Sequence, residues 1–237
     1  HEKVVGMDNQ AGLVALQEGF SLIKLNGDFS VLDNDEIKLA LNGQLNGDIG
    51  FYEGANAKTL LKRYLQNLPI ACNFSTVISE FWSDPKTIEY RQTAFSPEPQ
   101  PADTLNFWVG VTAKPTIGDA SVIKEFIRHV ICAGDLALYR YLMSFLAHMV
   151  QQPEDKPGIC IVLIGGQGVG KGIFFQLLGR IWGATTLLVS DIEQVIGRFN
   201  AALERNYVIC MDEALFAGDK RSLNRLKSLV TEPQIRI

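Results

Sequence analysis

The chain has 237 residues, 47% of them hydrophobic and 20% charged. That composition excludes a disordered or fibrous protein, and the length suffices for one large core or two small ones. A net charge of −4 and an isoelectric point near 5.4 give no overall attraction for nucleic acid, so any such contact requires a local basic patch. No apolar run reaches the roughly 18 residues that span a bilayer and no secretory signal opens the chain. Cys72, Cys132, Cys160 and Cys210 lack zinc or paired spacing, so a reducing cytoplasm and no membrane are expected.

Phe20 to Leu25 and Phe29 to Asp33, separated by Asn26-Gly-Asp28, predict a β-hairpin with an Asn-Gly turn. Ala57 to Leu68 has helical spacing, Val77 to Trp82 is apolar and helical in character, and Tyr90 to Phe95 reads as a short strand. The proline-rich break from Ser96 to Pro101 then marks a boundary. Beyond it, Asp119 is positioned to cap a helix that turns Val122, Ile123, Phe126, Ile127, Val130 and Ile131 to one face. After Ala133-Gly-Asp135 a second helix, Leu136 to about Val150, carries Leu138, Leu142, Phe145, Leu146 and Met149 inward, which completes an αα-hairpin. His129 and Cys132 share a face and His148 lies on the second helix, but a fourth metal ligand is missing from the pattern, so these residues read as structural.

Ile159 to Ile164 is a continuous apolar run of the kind that forms a parallel strand buried on both faces. It leads into Gly165, Gly166, Gln167, Gly168, Val169, Gly170, Lys171 and Gly172, which satisfy the phosphate-loop pattern G-x-x-x-x-G-K, and then into a helix from Ile173. Such a loop needs glycines because its backbone must wrap closely round phosphates with successive N–H groups turned inward. The helix N-terminus adds partial positive charge, and Lys171 reaches the β- and γ-phosphates as a point charge. Gly172 stands where a Ser or Thr hydroxyl ordinarily ligates Mg²⁺, so water is expected to complete the coordination.

Thr185 to Val189 predicts another strand, followed by a helix from Ile192 to about Phe199. Asn206 to Met211 is a further apolar strand, ending in Asp212-Glu213. Two carboxylates at a buried strand end are costly unless a cation waits there, which assigns Asp212 to Mg²⁺ and Glu213 to polarising an attacking water, with ATP as the nucleotide. The element order predicts an α/β fold, a P-loop NTPase with a parallel sheet flanked by helices. It also divides the chain into an accessory α+β region at 1–100, a helical segment at 101–155 and an ATPase core at 156–237. Cys160 and Cys210 fall in strand runs and are expected to pack as small hydrophobes. The opening at His1 and the end at Ile237 without a closing element read as those of a piece of a longer protein.

Phe107-Trp108, Gly118-Asp119, Val130 to Asp135, Leu146 to Gln151, Lys156-Pro-Gly158, the loop Gly165 to Gly172, Gly197 to Asn200, Asp212-Glu-Ala214, Gly218-Asp-Lys220 and Leu226 to Glu232 together resemble the primase-helicase proteins of phages and plasmids. These carry a superfamily 3 helicase module of AAA+ type. The resemblance covers about residues 106–237 and extends to the Gly-Lys-Gly ending of the loop. It implies an ATP-dependent DNA helicase, a homo-oligomeric ring, usually a hexamer, with ATP between subunits and single-stranded or forked DNA in the channel. An arginine finger, a polar sensor and a basic hairpin belong to that design and are expected beyond Ile237. Lys220, Arg221 and Lys227 are candidate DNA contacts within a local excess of basic residues, although such a run is usually a solvated face. From the residues alone, another P-loop enzyme, such as a kinase or a packaging motor, and a nucleotide-binding scaffold without turnover stay open.

Overall fold

The computed structural model describes residues 8–25, 27–42, 44, 49–190, 195, 205–212 and 220–231, with the backbone alone for 220–222. The chain divides into two compact units, His1–Ala94 with Pro99–Phe107, and Phe95–Glu98 with Trp108–Ile237. Together they make a mixed α/β protein with small sheets.

In the first unit, α1 (Asn9–Gly19) starts where the Asp8 side chain accepts from Ala11 N at 2.9 Å, and it leads into β1 (Phe20–Leu25) and β2 (Asp28–Asp33). These strands pair antiparallel from Phe20↔Asp33 to Leu25↔Asp28, and the turn places Gly27 at φ +96°, which only glycine adopts without steric cost. Asn26, its predicted partner in the turn, lies outside the described residues. At the end of β2 the Asp33 carboxylate accepts from Asp35 N and Glu36 N, capping α2 (Asn34–Leu41). Two further helices, α3 (Gly54–Gln66) and α4 (Phe74–Ser83), cover the hairpin. Their buried stripes, Ala57, Leu61 and Leu65 on one and Val77 and Phe81 on the other, close a core with Leu13, Leu16, Phe20, Leu22 and Val31. The strand expected over Tyr90 to Phe95 is two short ones. β3 (Glu89–Tyr90) extends the hairpin sheet by pairing parallel with β1, and β4 (Gln92–Ala94) pairs parallel with β5 (Thr104–Asn106).

The second unit begins with α5 (Ser121–Phe126), which runs directly into a π-helical turn, Ile127–Ile131. Asp119 accepts from Ser121 N and Ser121 Oγ, both at 2.8 Å, but stands one residue before the cap position, Ala120. The wider π turn rotates the residues beyond it, Val130 and Ile131 among them, relative to those of α5. Only Ile127 is buried, with Phe126 and Ile131 partly so, whereas Val122, Ile123 and Val130 face outward. Asp135 caps α6 (Leu136–Gln151) by accepting from Ala137 N and Leu138 N. That helix turns Leu142 and Met149 inward with Phe145 and Leu146 beside them, and leaves Leu138 exposed.

The run Ile159 to Ile164 forms no strand ladder. Its residues alternate in burial: Ile161 and Leu163 pack on the core, while Val162 and Ile164 are 60% and 95% exposed. Strand geometry with only one face covered and no partner at either edge among the described residues accounts for the difference from a two-sided buried strand. Cys160 is exposed rather than packed, for the same reason. After α7 (Lys171–Trp182) and a 3₁₀ turn, Gly183–Thr185, β6 (Thr186–Val189) pairs parallel with β7 (Val208–Met211) in the register Thr186↔Val208 to Val189↔Met211. The last described element is α8 (Lys220–Thr231). The helix predicted from Ile192 to Phe199 lies outside the described residues, Val195 apart.

Tyr207, just before β7, ties the unit's ends together. Its ring meets Trp108 edge-on at 4.9 Å, and its hydroxyl donates to the Met149 carbonyl of α6 at 3.0 Å. Burial, with a smaller contribution from Glu154, pushes that hydroxyl up to about 12. An unfolded tyrosine ionises near 10, so the stabilisation by the neutral phenol is complete below about pH 10 and is lost as pH rises toward 12. Tyr207→Phe is therefore expected to cost about 1 kcal/mol at neutral pH. It should also flatten the fall of unfolding free energy between pH 9 and 11.5, as measured by urea titration.

Candidate nucleotide-binding site

The glycine loop is shaped by two left-handed residues, Gly168 at φ +79° and Gly170 at φ +99°. At Gly170 space is limiting as well as conformation. A Cβ there would lie 3.1 Å from Phe126 Cε2 and 3.3 Å from Val130 Cγ1, so the π turn forms a wall behind the loop. Gly170 is also the cap residue of α7, and, having no side chain, it makes no cap bond to the first N–H groups of that helix. The helix N-terminus thus opens at the loop with its donors and partial positive charge unclaimed by a cap, which suits an anionic ligand.

Lys171, the first residue of α7, folds back so that Nζ donates to the carbonyls of Gly165 and Gly166, each at 2.8 Å. Gly165, Gly166, Gln167, Gly168 and Val169 are exposed, and Gly170 and Lys171 are partly covered. A Cβ on Gly172 would meet nothing within 4 Å. The absence of a hydroxyl there is therefore not forced by crowding.

The buried face of α7, with Phe174, Leu178 and Trp182, shares a core with Val208 and Cys210 of β7, and the Cys210 thiol is pushed up to about 11 by burial. This packing holds the helix that begins at Lys171 against the strand that ends at Asp212. Asp212 is exposed rather than buried at that strand end, so no desolvation cost there calls for a cation, and its N–H donates to the Val189 carbonyl at 2.9 Å, which continues the β6 pairing. Glu213 lies outside the described residues. Lys220, Arg221 and Lys227 all lie on α8, and the Lys227 side chain is exposed. His129 is exposed whereas Cys132 is buried, and His148 Nε2 donates to the Asp155 carbonyl at 2.8 Å. Among the described residues no group of three His, Cys, Asp or Glu side chains gathers to hold a metal. Phe126 and Val130, which back the loop, gave no signal in sequence beyond being apolar.

The two glycines make opposite predictions. Gly170→Ala forces a side chain into the left-handed region and against Phe126, at a cost of about 1–3 kcal/mol. It should weaken binding of a fluorescent ATP analogue by roughly tenfold or more. Gly172→Ala, in open space within the first turn, should leave that binding unchanged and raise thermal stability by up to about 1 kcal/mol.

The model of a family of unknown function, DUF5906, matches residues 163–237, which takes in the loop from Gly165 and the strand ending at Asp212. No curated protein matches the sequence. In fold the chain is similar to solved structures of the C-terminal region of NrS-1. An apo structure of its residues 305–718 gives a TM-score of 0.62 at 18% identity over 92% of this chain and 49% of that one. An A form apo structure gives 0.63 at 16% identity, again over 92% and 49%. The chain spans about half the length of these structures, and at such identity the likeness is one of fold.

Proposed function

We propose that residues 108–237 form the nucleotide-binding part of an ATP-driven DNA translocase, a helicase motor of phage-type replication proteins with a P-loop NTPase sheet of AAA+ type. The observation that carries this reading is the joint geometry at the start of α7. A loop opened by Gly168 and Gly170, an uncapped helix N-terminus and the Lys171 ammonium converge at one place, and the helix behind them packs on a strand ending in Asp212. The loop N–H groups and Lys171 would hold the ATP phosphates. Lys171 would exchange the Gly165 and Gly166 carbonyls for phosphate oxygens.

Asp212 fits a Mg²⁺ ion as an exposed carboxylate at a strand end. Water would take the position that Gly172 leaves without a hydroxyl. The bound metal supplies charge neutralisation between the phosphates, and Glu213 is the residue placed in sequence to polarise the attacking water. Assembly into a homo-oligomeric ring, usually a hexamer, with single-stranded or forked DNA as partner is implied by the resemblance in sequence motifs. The fold likeness to the NrS-1 C-terminal region supports the fold of the single chain. Gly172 favours one second reading, a nucleotide-binding module without turnover.

ATP hydrolysis measured with and without single-stranded DNA, on a chain long enough to assemble, separates these readings. DNA-stimulated turnover that falls about 100-fold or more in Lys171→Ala and Glu213→Gln is expected. DNA-independent turnover points to a P-loop enzyme of another kind. Binding without turnover points to the scaffold, and unimpaired nucleotide binding in Lys171→Ala overturns the site.

A further inference from the structure

The outer face of α3, in the first unit, carries a charge pattern that the fold does not require. In its 13 residues the helix has three cations, Lys58, Lys62 and Arg63, and no carboxylate. Its inner stripe of Ala57, Leu61 and Leu65 is fully buried. At 100° per residue that sets Lys62, Arg63 and Gln66 on the outer side with Lys58 at its edge, and all four are exposed. The helix dipole accounts only for Arg63, which lies in the last turn.

The surroundings are acidic: residues 1–107 hold eight Lys and Arg against fourteen Asp and Glu. Elsewhere in this unit Lys38 bonds Asp35 at 2.8 Å, and Arg91 lies 3.7 Å from Glu89 and 3.9 Å from Asp103. Among the described residues no carboxylate pairs with Lys58, Lys62 or Arg63. The nearest acid in sequence, Glu53 at the cap position, instead accepts from Ser30 Oγ at 3.2 Å.

Resting on the reading of this chain as part of a DNA translocase, we propose that this face of α3 binds the phosphate backbone of single-stranded DNA, separately from any contact made by α8. From Lys58 to Lys62, one turn apart on the same side, the helix axis advances about 6 Å, close to two nucleotide steps of a stacked strand. The face exposes no large apolar side chain. A protein partner of comparable affinity would need a dehydrated apolar centre, whereas a backbone grip needs only charge and hydrogen-bond donors. Binding here is insensitive to base sequence and steeply dependent on salt.

The test is fluorescence anisotropy of a labelled 30-nucleotide oligothymidylate with the whole chain, titrated from 25 to 200 mM salt without nucleotide. The triple substitution Lys58→Gln, Lys62→Gln, Arg63→Gln should bind about tenfold more weakly at low salt, with the slope of log K against log salt shallower by about 2. Its thermal midpoint should be unchanged, because all three side chains are exposed. Lys58→Arg with Lys62→Arg should bind as the parent chain does, and Lys171→Ala should lose nucleotide without losing the oligonucleotide, which separates this surface from the nucleotide site. Equal affinity and slope for the parent and triple-substituted chains overturns the proposal, as does a loss confined to a duplex of the same length.

Discussion

The contact between Gly170 and the π turn is the constraint on which the second unit's architecture rests. Because residue 170 has no side chain, Phe126 and Val130 approach its Cα closely enough to crowd a methyl group, and the chain reverses there in a left-handed conformation. That reversal fixes where α7 begins, and hence where its open N–H groups and Lys171 point. A helix started one residue later would turn its apolar face about 100° away from β7 and lose the shared core of Phe174, Leu178, Trp182, Val208 and Cys210. The site and the core therefore depend on the same glycine.

The π turn has a second consequence. An i→i+5 turn, closed where Cys132 N donates to Ile127 O at 2.9 Å, takes in one residue more than an α turn and rotates the residues beyond it. Ile127 and Cys132 go to the core while Val130 goes to the loop, so one short segment serves both the interior and the wall behind Gly170. Such turns recur at functional sites because the inserted residue frees the local backbone from a purely structural register.

Charge is distributed on a different principle from packing. The first unit is acidic, and its carboxylates serve as helix caps, at Asp8 and Asp33, and as ion-pair partners of Lys38 and Arg91. Against this background α3 concentrates cations on a helix free of carboxylates, as α8 does in the second unit. Uniform charge on a helix face costs a few tenths of a kcal/mol per i,i+4 like-charged pair, such as Lys58 and Lys62. Self-repulsion of that kind is relieved when a polyanion neutralises it, whereas a merely solvated face has no reason to exclude the opposite sign.

Local chemistry alone specified much of this protein. The hairpin turn at Gly27, the inward stripe of α3, the cap at Asp135 and the glycine loop leading into a helix are all set by interactions within a few residues, and such interactions can be read in order along the chain. The matters that needed the tertiary structure were those of partnership. Ile159 to Ile164 is apolar enough for a strand buried on both faces, but strand ladders require a neighbour, and only Ile161 and Leu163 find cover. Val122, Ile123 and Val130 keep helical spacing in sequence, yet all three are exposed, because spacing alone does not supply an element to cover the face. That Phe126 and Val130 stand behind Gly170 is a contact across some forty residues, set by the packing of two helices and leaving no local mark. Sequence thus determined which groups can meet a phosphate, and the fold decided how they are held, because burial and contact belong to pairs of residues rather than to single ones.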